Sequence, residues 1–158
     1  MSFWGMSIII SKYLLIRFEK KKLSKNAKDI FGSLVNFDLN NKDMVIEMIK
    51  DRIYKFTLRM QRGLTTVKII ASISPLLGLL GTVIGVLGAF QSIAQSGLDK
   101  PDLFAGGISM ALLTTVGGII VAIPNFVFYN YLNDKMTDYE VELEEKVVEI
   151  FLTSGAKA

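Results

Sequence analysis

Cysteine and histidine are both missing from this chain of 158 residues. Their absence excludes disulfides, thiolate or imidazole metal ligands, the usual nucleophile–base triads and histidine acid–base chemistry. The sequence therefore predicts neither an enzyme nor a bound cofactor or metal. Charge is missing where it matters most. The stretches from Ile69 to Leu98 and from Leu103 to Asn133 hold no Asp, Glu, Lys or Arg. At ~1.5 Å per helical residue each reaches ~45 Å, enough to cross the hydrocarbon core and both headgroup layers. With 51% hydrophobic residues and a mean hydropathy of +0.41, the chain is too apolar for an ordinary soluble domain. It is also too short for a many-helix transporter. The expectation is an all-α membrane protein with three spans.

A net charge of +3 and a pI near 9.1 do not point to nucleic acid. The Lys and Arg residues cluster beside the apolar segments, where a membrane surface accounts for them. The opening stretch, Ser2 to Ile16, is apolar apart from serines and Lys12, and Arg17, Lys20, Lys21, Lys22, Lys25 and Lys28 follow it. That order is the reverse of a cleaved signal peptide, so it reads as a short first span starting outside. Lys12, near its inner end, reads as a side chain that snorkels to the headgroups. From Arg17 to Lys68 thirteen Lys/Arg face six Asp/Glu, which makes this segment cytoplasmic by the positive-inside rule.

Alternation gives the remaining topology: first transmembrane helix 1–18, cytoplasmic helical segment 19–66, second transmembrane helix 67–95, external periplasmic loop 96–104, third transmembrane helix 105–132, cytoplasmic C-terminal helix 133–158. The N-terminus is then periplasmic and the C-terminus cytoplasmic. Within the cytoplasmic segment Ser24 is placed to cap a short helix ending near Asn36, and Phe37 to Asn41 reads as a turn. Val45, Ile49, Ile53, Phe56, Met60 and Leu64 recur every three to four residues, leaving Lys50, Arg52, Lys55, Arg59 and Arg62 wet. One continuous helix from about Asp43 to Gln95 is expected. The tail holds seven acids and three Lys; Val141, Val147, Val148, Ile150, Phe151 and Leu152 are its packing candidates, and its acids should attract the basic helix.

At ~100° per residue, Ala71, Ser74, Gly78, Gly81, Thr82, Gly85, Gly88, Ala89 and Ser92 share one face of the second span, with the bulky aliphatics on the others. Gly107, Ala111, Thr114, Thr115, Gly118, Ala122 and Asn125 form a matching stripe on the third. Two readings stay open. Small residues let membrane helices approach closely, or the two stripes line a shared pore. Thr82 and Thr115 place hydroxyls near mid-span, where each can pass a proton or simply bond back to its own helix. Pro75 and Pro124 each remove a helical hydrogen bond and predict kinks. Asn125 and Asn130 are placed to satisfy freed backbone groups or line a vestibule, and Trp4 and Tyr129 to Tyr131 read as interfacial anchors.

The runs PLLGLLGTVIG (75–85) and ISMALLTTVGGIIVAIPNFVFYN (108–130) resemble the two signature membrane helices of the ExbB/TolQ/MotA proton-channel family, ExbB and TolQ most closely. The resemblance is strong from Lys68 to Tyr131; the first span and the cytoplasmic segment agree in layout only. It implies an inner-membrane ring, pentameric in the family, whose second and third helices surround the membrane helices of an ExbD- or TolR-like partner. That partner supplies the membrane-embedded Asp, and ring threonines line the proton path; the matching positions here are Thr82 and Thr115. Ser74, Gly78, Gly81, Gly85, Ala89, Ala111, Thr114, Gly118 and Ala122 would then line the pore or contact the partner helices. Proton flow would be passed through a TonB-like protein to outer-membrane transporters. Many ExbB and TolQ proteins carry a Glu five residues before the third-helix Thr; Met110 stands there, which puts the weight on the partner's Asp. The alternatives are a TolQ-like role in envelope maintenance and a membrane scaffold whose glycine faces only pack. A flagellar-stator role fits less well, because three spans are counted where that branch has four.

Overall fold

The computed structural model describes residues 2–34, 42–97 and 101–155, and all of its regular structure is helical: α1 (Ser2–Lys21), α2 (Leu23–Gly32), α3 (Lys42–Gln61), α4 (Leu64–Ser96) and α5 (Pro101–Gly155). Two helical stretches, Leu64–Gln95 and Phe104–Ser154, are long and apolar enough to cross a membrane. Among the described residues α1 is not one of them. Two compact units divide the contacts. One comprises 66–129 with the start of α1 up to Ser7; the other comprises Ile8–Thr65 with α5 from Asn130 onward.

The helix breaks depart from several expectations for local reasons. The continuous helix from Asp43 is interrupted at Gly63, which takes φ +95°, a conformation open to glycine at little cost. Lys12 Nζ donates to the Met60 carbonyl at 2.9 Å, one of the acceptors left unpaired where α3 ends. Ser24 is not a cap, since α2 has already begun at Leu23. The Lys22 N–H donates to Glu19 O at 2.9 Å and no side chain caps the N-terminus. α2 closes at Ser33, whose N–H reaches Asp29 O and Ile30 O, short of Asn36. The turn assigned to Phe37 to Asn41 lies outside the described residues. The helix bounds fall within the segment 96–104 expected as a loop. α4 runs to Ser96, Gly97 follows at φ +73° with its N–H on Ile93 O, and α5 starts at Pro101. Proline suits a first helical turn because its missing N–H has no partner there, and Asp102 beside it favours the positive end of the helix dipole.

In the unit containing α3, the expected apolar stripe is the core: Val45, Ile49, Ile53, Met60 and Leu64 are buried, with Phe56 half-buried. Lys50, Arg52, Lys55, Arg59 and Arg62 are exposed. α5 supplies Leu132, Met136, Tyr139, Leu143, Val147 and Phe151, spaced three or four apart so that one face of this long helix is apolar. Val141 and Leu152, expected to pack, stand on the opposite side and are exposed. The expected attraction of the acidic tail takes the form of Lys20–Glu142 at 2.6 Å and Lys50–Glu144 at 3.7 Å. Such exposed pairs contribute ~0–1 kcal/mol each.

The interior polar feature of this unit is Tyr139. Its ring packs 6.4 Å from Phe56, and its Oη accepts a 2.9 Å bond from Asn26 Nδ2, which also donates to Glu19. Burial pushes the phenol up from its ordinary 10.0, the Asn26 bond pulls it down, and Glu19 and Glu142 push it up further. The fold thus favours the neutral phenol. Its contribution is complete below about pH 10 and is lost as pH rises through the higher folded value. Tyr139→Phe should cost about 1 kcal/mol near neutrality through the lost hydrogen bond. The gap to the parent chain should then narrow above pH 10, because only the parent has a phenol to ionise. Thermal melting followed by circular dichroism in detergent across pH 7 to 11 checks both effects.

Candidate functional site

The small-residue stripes of α4 and α5 face each other within one chain. At Gly78 an added Cβ would lie 2.9 Å from the Thr114 carbonyl oxygen and 2.9 Å from Thr115 Cα; at Gly118 it would lie 2.5 Å from the Ser74 carbonyl oxygen. Gly85 meets Ala111 and Gly107, and Gly81 meets the Thr114 side chain, in the same way. At Gly78 and Gly118 the approach is backbone to backbone, which only a missing side chain permits. Gly117, Gly88 and Gly106 have open space where a Cβ would be, so the close contact belongs to one face of each helix.

The seam brings the two singled-out hydroxyls together. Thr82 Oγ1 and Thr115 Oγ1 are hydrogen-bonded to each other. Thr115 also donates to Gly78 O at 3.1 Å, and Thr82 reaches Gly78 O at 3.2 Å and Ala111 O at 3.3 Å. Thr114 reaches the same Gly78 carbonyl at 3.1 Å and Ala111 O at 2.6 Å. Three hydroxyls therefore converge on one carbonyl, exposed to them because Gly78 has no Cβ. Thr82 combines the bond back to its own helix, at Gly78 O, with the cross-helix bond to Thr115, whereas the Thr115 hydroxyl bonds across the seam. The convergence on Gly78 was missed, and its signal is the four-residue spacing from Gly78 to Thr82.

The residues expected to line a pore or contact partner helices differ in exposure within the chain. Ser74, Ala89, Ala111 and Ala122 are each 7% exposed or less. Ser74 and Ala111 meet glycines of the facing helix, Gly118 and Gly85 respectively. Gly81, Gly85 and Gly118 are half-buried and Thr114 is exposed. An open groove of about 250 Å³ runs beside the seam, lined by Ser74, Leu77, Gly78, Thr114, Gly118 and Val121. α4 and α5 continue through Pro75 and Pro124 without a break. Asn125 donates to Val121 O at 2.7 Å, not to the Ile120 carbonyl that Pro124 frees. Its buried Oδ1 has no partner among the described residues and lies against Gly5 of α1. Lys68 Nζ sits 5.8 Å from the Tyr129 ring centroid, a cation–π contact at a helix position where an interfacial anchor was expected.

The remaining faces are bulky and open. Leu76, Leu79, Leu80, Val83, Ile84, Leu87 and Phe90 of α4 and Met110, Leu113, Ile120, Ile123 and Phe126 of α5 are all more than half exposed. So much contiguous apolar surface requires lipid or other protein against it. Among the described residues no group of His, Cys, Asp or Glu could hold a metal ion. The chemistry at the seam is that of the threonine hydroxyls and the Gly78 and Ala111 carbonyls.

Residues 13–145 match the MotA/TolQ/ExbB proton channel family, a span that contains the whole seam. This chain belongs to that family. Among relatives of this proton channel family, the biopolymer transport protein ExbB of Aquifex aeolicus is 31% identical over 144 residues, covering 89% of this chain and 80% of that protein. ExbB of Neisseria gonorrhoeae is 33% identical over 129 residues, covering 75% of this chain and 58% of its own length. A putative biopolymer transport protein, ExbB-like 1 of Helicobacter pylori, is 39% identical over 85 residues, covering 54% and 45%. The chain thus spans little more than half the length of the Neisseria protein. Family membership, together with the exposed apolar faces, makes it a membrane protein.

Proposed function

We propose that this chain is the ring-forming subunit of a proton-driven motor in the bacterial inner membrane, working with an ExbD-like partner to energise TonB-dependent transport across the outer membrane. The observation that carries the reading is the hydrogen-bonded pair Thr82 and Thr115 at mid-span, in a segment without a charged side chain. A hydroxyl both donates and accepts, so this pair can bond a carboxylate in either protonation state. Met110 leaves the ring without the acid that many relatives carry at that place, so the titrating group is the partner's membrane-embedded Asp. The ring is a pentamer of three-span subunits, with the first span in α1, the N-terminus periplasmic and the C-terminal part of α5 cytoplasmic. The open groove beside the seam is the surface available to partner helices.

Exposure supports assembly into a ring. The aliphatic faces of α4 and α5 need cover on more than one side, which neighbouring subunits and lipid provide together. Co-expression with an ExbD-like protein, followed by native mass spectrometry of the detergent-extracted complex, tests the assembly. A mass of five copies of this chain with partner bound is expected. A monomer, or a complex that excludes the partner, would overturn it. Failure of iron-limited growth on deletion, rather than envelope leakage, is the outcome that separates this role from envelope maintenance.

A further inference from the structure

Within the unit built on α3, α1 and α5 flank an open cavity of about 380 Å³ that seam chemistry does not use. Its floor is apolar, with Ile16 and Leu132 buried. Four cations ring it: Arg17, Lys20 and Lys21 from α1 and Lys135 from α5. Lys20 is held by Glu142 at 2.6 Å and Lys135 by Asp138 at 3.1 Å. Among the described residues Arg17 and Lys21 have no carboxylate within ion-pair distance, and both are exposed.

The cavity's height along both helices is set by sequence. Arg17 is where α1 turns from apolar to basic, and the charged part of α5 begins at Asp134 and Lys135. Tyr13 and Tyr131 also line it, each about half exposed, as aromatic rings do at the lipid–water boundary. An apolar floor under surplus positive charge at that boundary matches a molecule with an acyl end and an anionic head.

We propose that this cavity binds the headgroup of an anionic phospholipid, with its phosphate between Arg17 and Lys21 and its first acyl carbons on Ile16 and Leu132. Basic pockets between membrane helices recognise anionic lipids in this manner. Lipid capture here does not depend on proton conduction, so each can fail without the other.

The test is native mass spectrometry of the full chain in neutral detergent, with phosphatidylglycerol or phosphatidylcholine added at equal concentration. Phosphatidylglycerol adducts should exceed phosphatidylcholine adducts by roughly tenfold or more, and the preference should fall as salt rises. The double variant Arg17→Gln, Lys21→Gln should lose the preference, while Lys25→Gln, Lys28→Gln, on α2 outside the cavity, should keep it. The charge-preserving Arg17→Lys, Lys21→Arg variant should keep it too, which guards against a folding effect. A large excess of inorganic phosphate should not displace the lipid. Equal retention of the two lipids, equal loss in the α2 variant, or displacement by free phosphate would each overturn the assignment.

Discussion

Thr115→Val should abolish energised uptake while leaving the protein assembled. Valine keeps the volume of threonine and deletes the hydroxyl that bonds Thr82 and the Gly78 carbonyl. Interhelical hydrogen bonds in membranes average only ~0.6 kcal/mol, so the loss to folding is small. If the hydroxyl passes protons, the loss to function is far larger, on the order of a hundredfold by analogy with positioned acid–base groups. Thr115→Ser restores the hydroxyl and should recover most of the uptake. Thr114→Val is the control on the same turn. Its hydroxyl also bonds Gly78 O and Ala111 O but does not pair with Thr82, so uptake should change little. Growth on an iron chelate that enters only by energised transport gives the activity, and co-purification of the complex shows whether assembly holds.

The second large effect separates two neighbouring glycines. Gly118→Ala places a Cβ 2.5 Å from the Ser74 carbonyl oxygen and 3.1 Å from Gly78 Cα. Both are backbone atoms of α4, so neither can swing aside and the helices must part. Overpacking of this kind costs about 1–3 kcal/mol, and it also pulls Thr115 away from Thr82. Gly117→Ala meets nothing within 4 Å and gains about 0.5–1 kcal/mol from reduced backbone freedom in the unfolded chain. Adjacent, chemically identical changes should therefore shift the melting temperature of the purified chain in opposite directions. Uptake should fall with Gly118→Ala and persist with Gly117→Ala. Equal shifts would mean that the seam is not where α4 and α5 meet.

The same contrast explains how much was legible beforehand. Periodicity found the faces, because residue size and polarity repeat with the helical turn: the buried stripe from Val45 to Leu64 and the small faces of α4 and α5 were readable from spacing alone. What spacing cannot supply is the partner across the face. Ser74 and Ala111 read equally well as pore lining or as packing, and only the structure shows which glycines of the facing helix, Gly118 and Gly85, they meet. The break at Gly63 was hidden because a lone glycine is tolerated inside a helix as often as it ends one. Lys12 read as a membrane-surface residue because the acceptor it serves, the Met60 carbonyl, lies 48 residues away. Tyr139 was passed over for a related reason: its value depends on Asn26, on another helix.

Proton flux into liposomes holding this chain and its ExbD-like partner, driven by an imposed pH gradient and potential, tests the hydroxyl pair most directly. The account predicts flux above protein-free vesicles for the parent complex and for Thr115→Ser, and flux at background for Thr115→Val in a complex of the same composition. Undiminished flux in Thr115→Val would contradict it.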